Sequence, residues 1–245
     1  MREKQKTSDS MSFLEHLEEL RQRIITVLVI WAVAAISSYA FVGKILKFIF
    51  APLSPFQQKP VFTRPMEPFM VTLAVCALAG SLVALPVFMA ELWLFVSPGL
   101  TPKERQFSRW IILSLVVFTL VGMAFGFFLL VPLSLKILLG FSQGVMLPFL
   151  SASSYLMFVA IITIGLGVVF NLPVAISALA ALGIVKPETL VENRRLAVVG
   201  AVVVAAVITP TTDVITQLLL AGPLVILYEI GIIFARIFSR QSLQN

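Results

Sequence analysis

The chain has few charged residues and very few of the side chains that do chemistry. Only 12% of its 245 residues are charged, and it contains one cysteine, Cys76, and one histidine, His16. A single cysteine excludes an intrachain disulfide. A single histidine outside the apolar stretches excludes a serine–histidine pair or a histidine-based metal site within a membrane. No glycine-rich phosphate loop precedes a lysine, so we expect no enzyme activity, cofactor or metal.

Six long apolar stretches make up most of what is present. They cover residues 24–43, 69–96, 110–133, 155–185, 196–208 and 214–235. A helix needs about 20 apolar residues to cross roughly 30 Å of hydrocarbon, and the short alternating strands of a barrel are missing. The pattern predicts an all-α membrane protein with six transmembrane helices. The last two are expected to be short, which would leave one side of the bundle concave and cupped.

The basic residues indicate an orientation. With six spans both ends of the chain lie on one face, and 13 of the 18 Lys and Arg residues fall on that face. The positive-inside rule then places both termini in the cytoplasm. We divide the chain into a cytoplasmic tail with an amphipathic helix (1–23), a six-helix transmembrane domain (24–235) and a cytoplasmic C-terminal tail (236–245). No basic run is dense enough to indicate nucleic-acid binding.

The tail before the first span combines apolar residues at helical spacing with charges of both signs. Ser12 and Glu15 have the spacing of a capping box, which predicts a helix start. Arg21 and Arg23 fit a simple positive anchor for topology, but the three glutamates of this segment do not. Both a mere anchor and a functional role for the acidic residues stay open from this pattern. A further carboxylate, Glu91, lies near the same face at the end of the second stretch.

The remaining candidate functional residues are prolines of an outer loop and amide side chains within the spans. Five prolines between residues 44 and 68, among them Pro52, predict a stiff, structured loop on the outer face. Asn171 and Gln217 are rare polar residues within the spans, and we expect them to face one open concave side where a partner helix docks. The alternative is that each forms hydrogen bonds inside a closed bundle. A pore or secondary transporter for a small solute is a second functional hypothesis, although no internal repeat or charge at mid-membrane supports it.

Motifs along the whole chain resemble the TatC family, the multispanning subunit of the twin-arginine protein translocase. The first is the tail segment His-Leu-Glu-Glu-Leu-Arg-Gln-Arg at residues 16–23. The others, in chain order, are Ala-Pro-Leu at 51–53, Leu-Pro at 85–86, Lys-Glu-Arg at 103–105, Gly-Met-Ala-Phe at 122–125, Phe-Asn-Leu-Pro-Val at 170–174, Thr-Pro at 209–210 with Asp213 and Gln217, and Tyr-Glu-Ile-Gly at 228–231. Short fifth and sixth spans are a feature of the family as well.

The resemblance implies a function in protein export. Such a protein binds twin-arginine signal peptides of folded precursors at the cytoplasmic face of the inner membrane. It assembles with single-span TatA and TatB subunits, associates with itself, and works by the proton motive force without a cofactor. By position, the signal-peptide site falls on Glu19, Arg21, Arg23, Phe95 and Glu104. Beside this, we count Asp213 with Asn171 and Gln217 among the intramembrane polar residues where a partner helix is expected to dock. The family usually has a glutamate where this chain has Asn171, so a titrating carboxylate is missing there.

Overall fold

The computed structural model describes residues 13–96, 108–140, 149–181, 183–209 and 214–243. Within them the regular secondary structure is helical, apart from one isolated backbone bridge between Val61 and Ser151. The helices are α1 (Phe13–Ser38), α2 (Val42–Phe50), α3 (Glu67–Val96), α4 (Ser108–Phe125), α5 (Val131–Gly140), α6 (Ala152–Val169), α7 (Leu172–Ala181), α8 (Pro187–Glu192), α9 (Arg194–Ile208) and α10 (Val214–Leu243). Short 3₁₀ turns at Tyr39–Phe41 and Ala51–Phe56 flank α2.

Five helical runs among the described residues are long and apolar enough to cross a bilayer. They are Leu14–Phe56, Glu67–Phe95, Arg109–Gly140, Ala152–Ala180 and Val214–Ile237. The fifth predicted span corresponds to α9, which has 15 residues and therefore a length of about 22 Å, so its shortness is confirmed. By contrast, α10 has 30 residues and is longer than predicted, because the polar residues after Ala235 continue the helix instead of ending it.

The tail and the first span form one helix. Because α1 runs from Phe13 to Ser38 without a break, the amphipathic helix of the tail continues directly into the first span. α1 packs antiparallel to α3, as the contact of Arg23 with Glu91 near one end and of Trp31 with Ala77 further along shows. We call the end that carries Arg23 and Glu91 the N-terminal face of the bundle.

A wider turn interrupts the third pass. Residues Gly126–Leu130 form a π-helical turn between α4 and α5, so the helical run continues to Gly140 and beyond residue 133, where the apolar stretch was predicted to end. Pro132 lies directly after the turn, and it has no N–H to donate to the carbonyl of Phe128. A wider turn at this position accommodates the missing hydrogen bond.

Small residues let the helices approach closely. A Cβ added at Gly80 of α3 would lie 2.7 Å from the carbonyl oxygen of Trp31 on α1. One added at Gly122 of α4 would lie 2.5 Å from the carbonyl oxygen of Leu166 on α6. Backbone-to-backbone packing of this kind is how helices gain contact in lipid, where burial of apolar surface gives little.

The opposite end of the bundle, the distal face, carries an ordered cap. The segment after α2 pairs with the start of α6: the amide of Val61 donates to Leu150 O over 2.9 Å, and the amide of Ala152 donates to Val61 O over 3.1 Å. The hydroxyl of the buried Tyr155 donates to Ile49 O over 2.8 Å. The loop that contains Pro52 is therefore structured as predicted, with its neighbour Leu53 fully buried.

Glu67 at the start of α3 joins the two segments of this cap. One carboxylate oxygen accepts from the amide and the hydroxyl of Thr63, at 2.6 and 2.9 Å. The other accepts from the hydroxyl of Ser151 at 2.6 Å and from the amide and hydroxyl of Ser153 at 3.1 and 2.7 Å. A buried carboxylate is retained because five donors replace the water that it has lost.

Candidate functional site

An arginine between two carboxylates forms the centre of the N-terminal face. The guanidinium of Arg23 donates through Nη1 to Glu91 Oε2 over 2.6 Å, and through Nε to Glu19 Oε1 over 3.1 Å. Its Nη2 also contacts Glu19 Oε1 and donates to the carbonyl oxygen of Leu94 over 3.2 Å. This contact is made to a carbonyl in the last turn of α3. Arg23 thereby ties α1 to the end of α3.

Helical periodicity brings part of this site together. Glu19 and Arg23 are four residues apart, so they lie on one side of α1 and pair across one turn. Glu91 is one turn before Phe95 on α3, and it reaches the cluster because α1 and α3 pack side by side. The side chains of Arg23, Glu19 and Glu91 are 21%, 19% and 22% exposed. They are thus partly removed from water, and their interactions are less screened than those of a surface pair.

Glu19 keeps one oxygen without a hydrogen bond. Its Oε2 is buried and has no hydrogen-bond partner among the described residues, and Nδ1 of His16 lies 3.9 Å away from it. The ring of His16 stacks on Phe95 with centroids 4.2 Å apart and an angle of 13° between the planes. A buried carboxylate oxygen without a donor is energetically costly, and a donor that reached it would remove this cost.

The other residues predicted for this site do not all lie in the cluster. Arg21 is directed away from the cluster: it is 71% exposed and lies 3.6 Å from Glu18, which is 61% exposed. Phe95 is part of the site through its stack on His16. Glu104 lies outside the described residues. The structure therefore brings Glu19, Arg23 and Phe95 together and separates Arg21 from them.

Sequence reasoning missed two members of the cluster, Glu91 and His16. Both carried a signal, since Glu91 is the one carboxylate at the end of the second apolar stretch and His16 is the only histidine. The contact between Arg23 and Glu91 spans 68 positions in sequence. No local pattern predicts such a contact.

Asn171 lies inside the bundle and not on an open side, so the prediction of an exposed docking amide is wrong for this residue. It is 5% exposed, and its Nδ2 donates to Thr119 Oγ1 of α4 over 2.8 Å and to Gly167 O over 2.9 Å. The physical reason is the break between α6 and α7 before Pro173. There the backbone N–H of Asn171 donates to Val168 O. Gly167 O is therefore left to accept from the side-chain Nδ2 of Asn171.

Gln217 has a different environment. It is half-buried at the distal start of α10, and its Nε2 donates to Val202 O of α9 over 3.1 Å. Pro173, two residues after Asn171, packs against Gly231 of α10. Gly231 is 14 residues beyond Gln217, which is a distance of about 21 Å along this helix. The predicted shared face of Asn171 and Gln217 is therefore wrong. Asp213 lies outside the described residues.

The cluster at the N-terminal face suits a cationic organic ligand better than a metal. The two carboxylates and the guanidinium leave one net negative charge when His16 is neutral. The described residues contain no group of three potential metal-ligating side chains. A guanidinium would satisfy the open oxygen of Glu19, since charge-assisted hydrogen bonds to carboxylates are the strong ones.

Comparison with known proteins decides the family. The profile of the family described as Sec-independent protein translocase protein (TatC) matches residues 15–223. This chain belongs to the TatC family. It is 36% identical over 226 residues to TatC of Carboxydothermus hydrogenoformans, covering 92% of this chain and 93% of that protein. It is 38% identical over 232 residues to TatC of Desulforapulum autotrophicum, covering 94% and 86%.

A solved structure agrees with the fold. The chain superposes on a crystal structure of the twin-arginine translocase receptor TatC with a TM-score of 0.80, at 31% identity, over 92% of this chain and 100% of that one. The resemblance of the motifs and the predicted all-α membrane fold are thereby confirmed. TatC proteins are components of a protein translocase and not enzymes, which also removes the small-solute transporter as an alternative.

Proposed function

We propose that this TatC-family protein is the receptor subunit of a twin-arginine translocase and binds the twin-arginine signal peptides of folded precursor proteins at its N-terminal face. The observation that carries the proposal is the buried oxygen Oε2 of Glu19, which has no hydrogen-bond partner among the described residues and lies beside the stacked rings of His16 and Phe95. An arginine of the signal donates to this oxygen, and Phe95 supplies an apolar wall for the residues that follow. Glu104, assigned by the family motif, accepts the second arginine.

The proposal also includes the membrane in which the protein lies and the subunits with which it assembles. The protein lies in the cytoplasmic (inner) membrane with both termini in the cytoplasm, assembles with single-span TatA- and TatB-type subunits and with further copies of itself, and uses the proton motive force. For docking a partner helix, Gln217 remains the candidate, because it is half-buried and has one hydrogen bond to α9. Asn171 is excluded from this role, since its amide is enclosed in the bundle.

Crosslinking tests the recognition. A photoreactive residue replaces Leu92, which is exposed on α3 one position after Glu91, and the matched control replaces Phe62, which is exposed at the distal face. In native membranes we expect a twin-arginine precursor to crosslink at position 92 and not at position 62. A twin-lysine precursor should give little product at either. Equal crosslinking of both precursors at position 92 would contradict the proposed site.

Cysteine labelling tests the orientation. We expect Lys59→Cys, in the structured cap of the distal face, to react with an impermeant thiol reagent added outside intact cells. Glu188→Cys, on α8, should react only after the membrane is opened. Both positions are exposed, and the native Cys76 is buried, so it is replaced by alanine for the background. Labelling of Glu188→Cys from outside would reverse the proposed topology.

A further inference from the structure

Arg23 presents a difficulty for the proposed recognition, because it is itself a guanidinium already bound to Glu19. A free arginine four residues along the helix would pair with both oxygens of a glutamate, since the planar guanidinium matches a carboxylate in a two-point fork. In this protein it contacts only Oε1 of Glu19. Other acceptors therefore keep the nitrogens of the guanidinium away from Glu19 Oε2.

Two acceptors at the end of α3 bind the guanidinium of Arg23. The Nη1 of Arg23 is taken by Glu91 Oε2 at 2.6 Å, and Nη2 also donates to Leu94 O at 3.2 Å. Each of the three guanidinium nitrogens thus has an acceptor while Glu19 Oε2 stays open. Glu91 also supplies a second negative charge, so the cluster keeps one net negative charge after Arg23 is counted.

We propose that Glu91 is a positioning residue for signal recognition, which diverts Arg23 and keeps Glu19 Oε2 open and negatively charged for one arginine of the signal peptide. This inference rests on the proposed function and adds a specificity-determining role to a residue outside the binding contact. Without Glu91, Arg23 closes the fork on Glu19, and the cluster becomes neutral and closed to a second guanidinium. One arginine of the pair therefore binds at Glu19.

A set of three variants tests the inference by binding of a synthetic twin-arginine signal peptide to the purified full-length protein. We expect Glu91→Gln, which keeps the volume, to weaken binding about five- to tenfold, the size of a partly exposed charge interaction. Arg23→Gln should bind more tightly than the unchanged protein, because it removes the internal competitor for Glu19. The double variant Glu91→Gln with Arg23→Gln should return to within about twofold of the unchanged protein.

The double variant separates this role from a structural one. If Glu91 only ties α3 to α1, removing both partners leaves binding as weak as in Glu91→Gln or weaker, and that result overturns the inference. Wild-type binding by Glu91→Gln overturns it as well. Thermal melting of each variant in detergent checks that the proteins whose binding is compared are folded.

Failure of the inference and failure of the proposed function give different results. If Glu19→Gln and Glu91→Gln both bind the twin-arginine peptide normally, the site itself is misassigned. If Glu19→Gln loses binding while Glu91→Gln does not, the site stands and only the role of Glu91 is refuted. A twin-lysine peptide serves as reference, since the lysine ammonium is more strongly hydrated than a guanidinium and lacks its planar shape.

Discussion

Glu19→Gln is expected to reduce the affinity for a twin-arginine signal peptide by roughly ten- to hundredfold. The change keeps the size of the side chain and removes the charge that a guanidinium would meet at Oε2. Hydrogen bonds to charged groups contribute about 1.5–3 kcal/mol, and each 1.4 kcal/mol is about tenfold in affinity. The upper part of this range applies only if the bound peptide excludes water from the site, because Glu19 is 19% exposed in the free protein. Titration of a labelled signal peptide against purified protein measures the effect.

Glu18→Gln is the matched control. Glu18 is on the same turn of α1 but is 61% exposed and pairs with the exposed Arg21. Exposed pairs of this kind contribute little, so binding should change less than about twofold. Equal losses in Glu18→Gln and Glu19→Gln would show that general negative charge near the tail attracts the peptide. A specific acceptor at Glu19 would then not be needed.

Gly122→Ala is expected to destabilise the fold strongly, although it adds one methyl group. The new Cβ would lie 2.5 Å from Leu166 O and 2.7 Å from Phe170 Cβ, so α4 and α6 must separate. Overpacking of this kind typically costs about 1–3 kcal/mol, and we expect the upper end because the nearest atom is backbone. Separation would also stretch the hydrogen bond between Asn171 and Thr119. Thermal unfolding in detergent is the measurement.

Gly200→Ala controls for the loss of glycine itself. Gly200 lies within α9 and has nothing within 4 Å of an added Cβ, and alanine is the better helix former. Its melting temperature should stay the same or rise. If both variants melt alike, close contact between α4 and α6 at Gly122 is not a source of stability.

The number of membrane passes and the family were accessible from the sequence because both depend on local properties. A span is recognised from the mean polarity of some 20 neighbouring residues, although the short α9 falls below this length. The motifs around Glu19, Asn171 and Gln217 are contiguous in the chain, so they could be matched without knowledge of the fold. Helix ends were less well predicted. Near residues 133 and 235, continued backbone hydrogen bonding carried the helices beyond the apolar stretches.

Half of the candidate site was also accessible from the sequence. The pairing of Glu19 with Arg23 follows from helical spacing alone, and Phe95 was assigned by the family motif. The assignment of Arg21 beside them was not supported by its geometry, since two positions along α1 turn its side chain by about 200° from Arg23. Residues two apart on a helix do not face each other.

The sequence by itself determined an all-helical membrane protein of the TatC family with acidic residues at one end, because hydrophobic length and contiguous motifs are properties of the chain read in order. Only the tertiary structure decided which charges meet. It placed Glu91 on Arg23, stacked His16 on Phe95 and left one oxygen of Glu19 open. It also turned Asn171 inward to the carbonyl of Gly167 and to Thr119. These outcomes depend on how α1 packs on α3 and α4 on α6, and contacts between helices far apart in sequence are set by side-chain packing that no local pattern encodes.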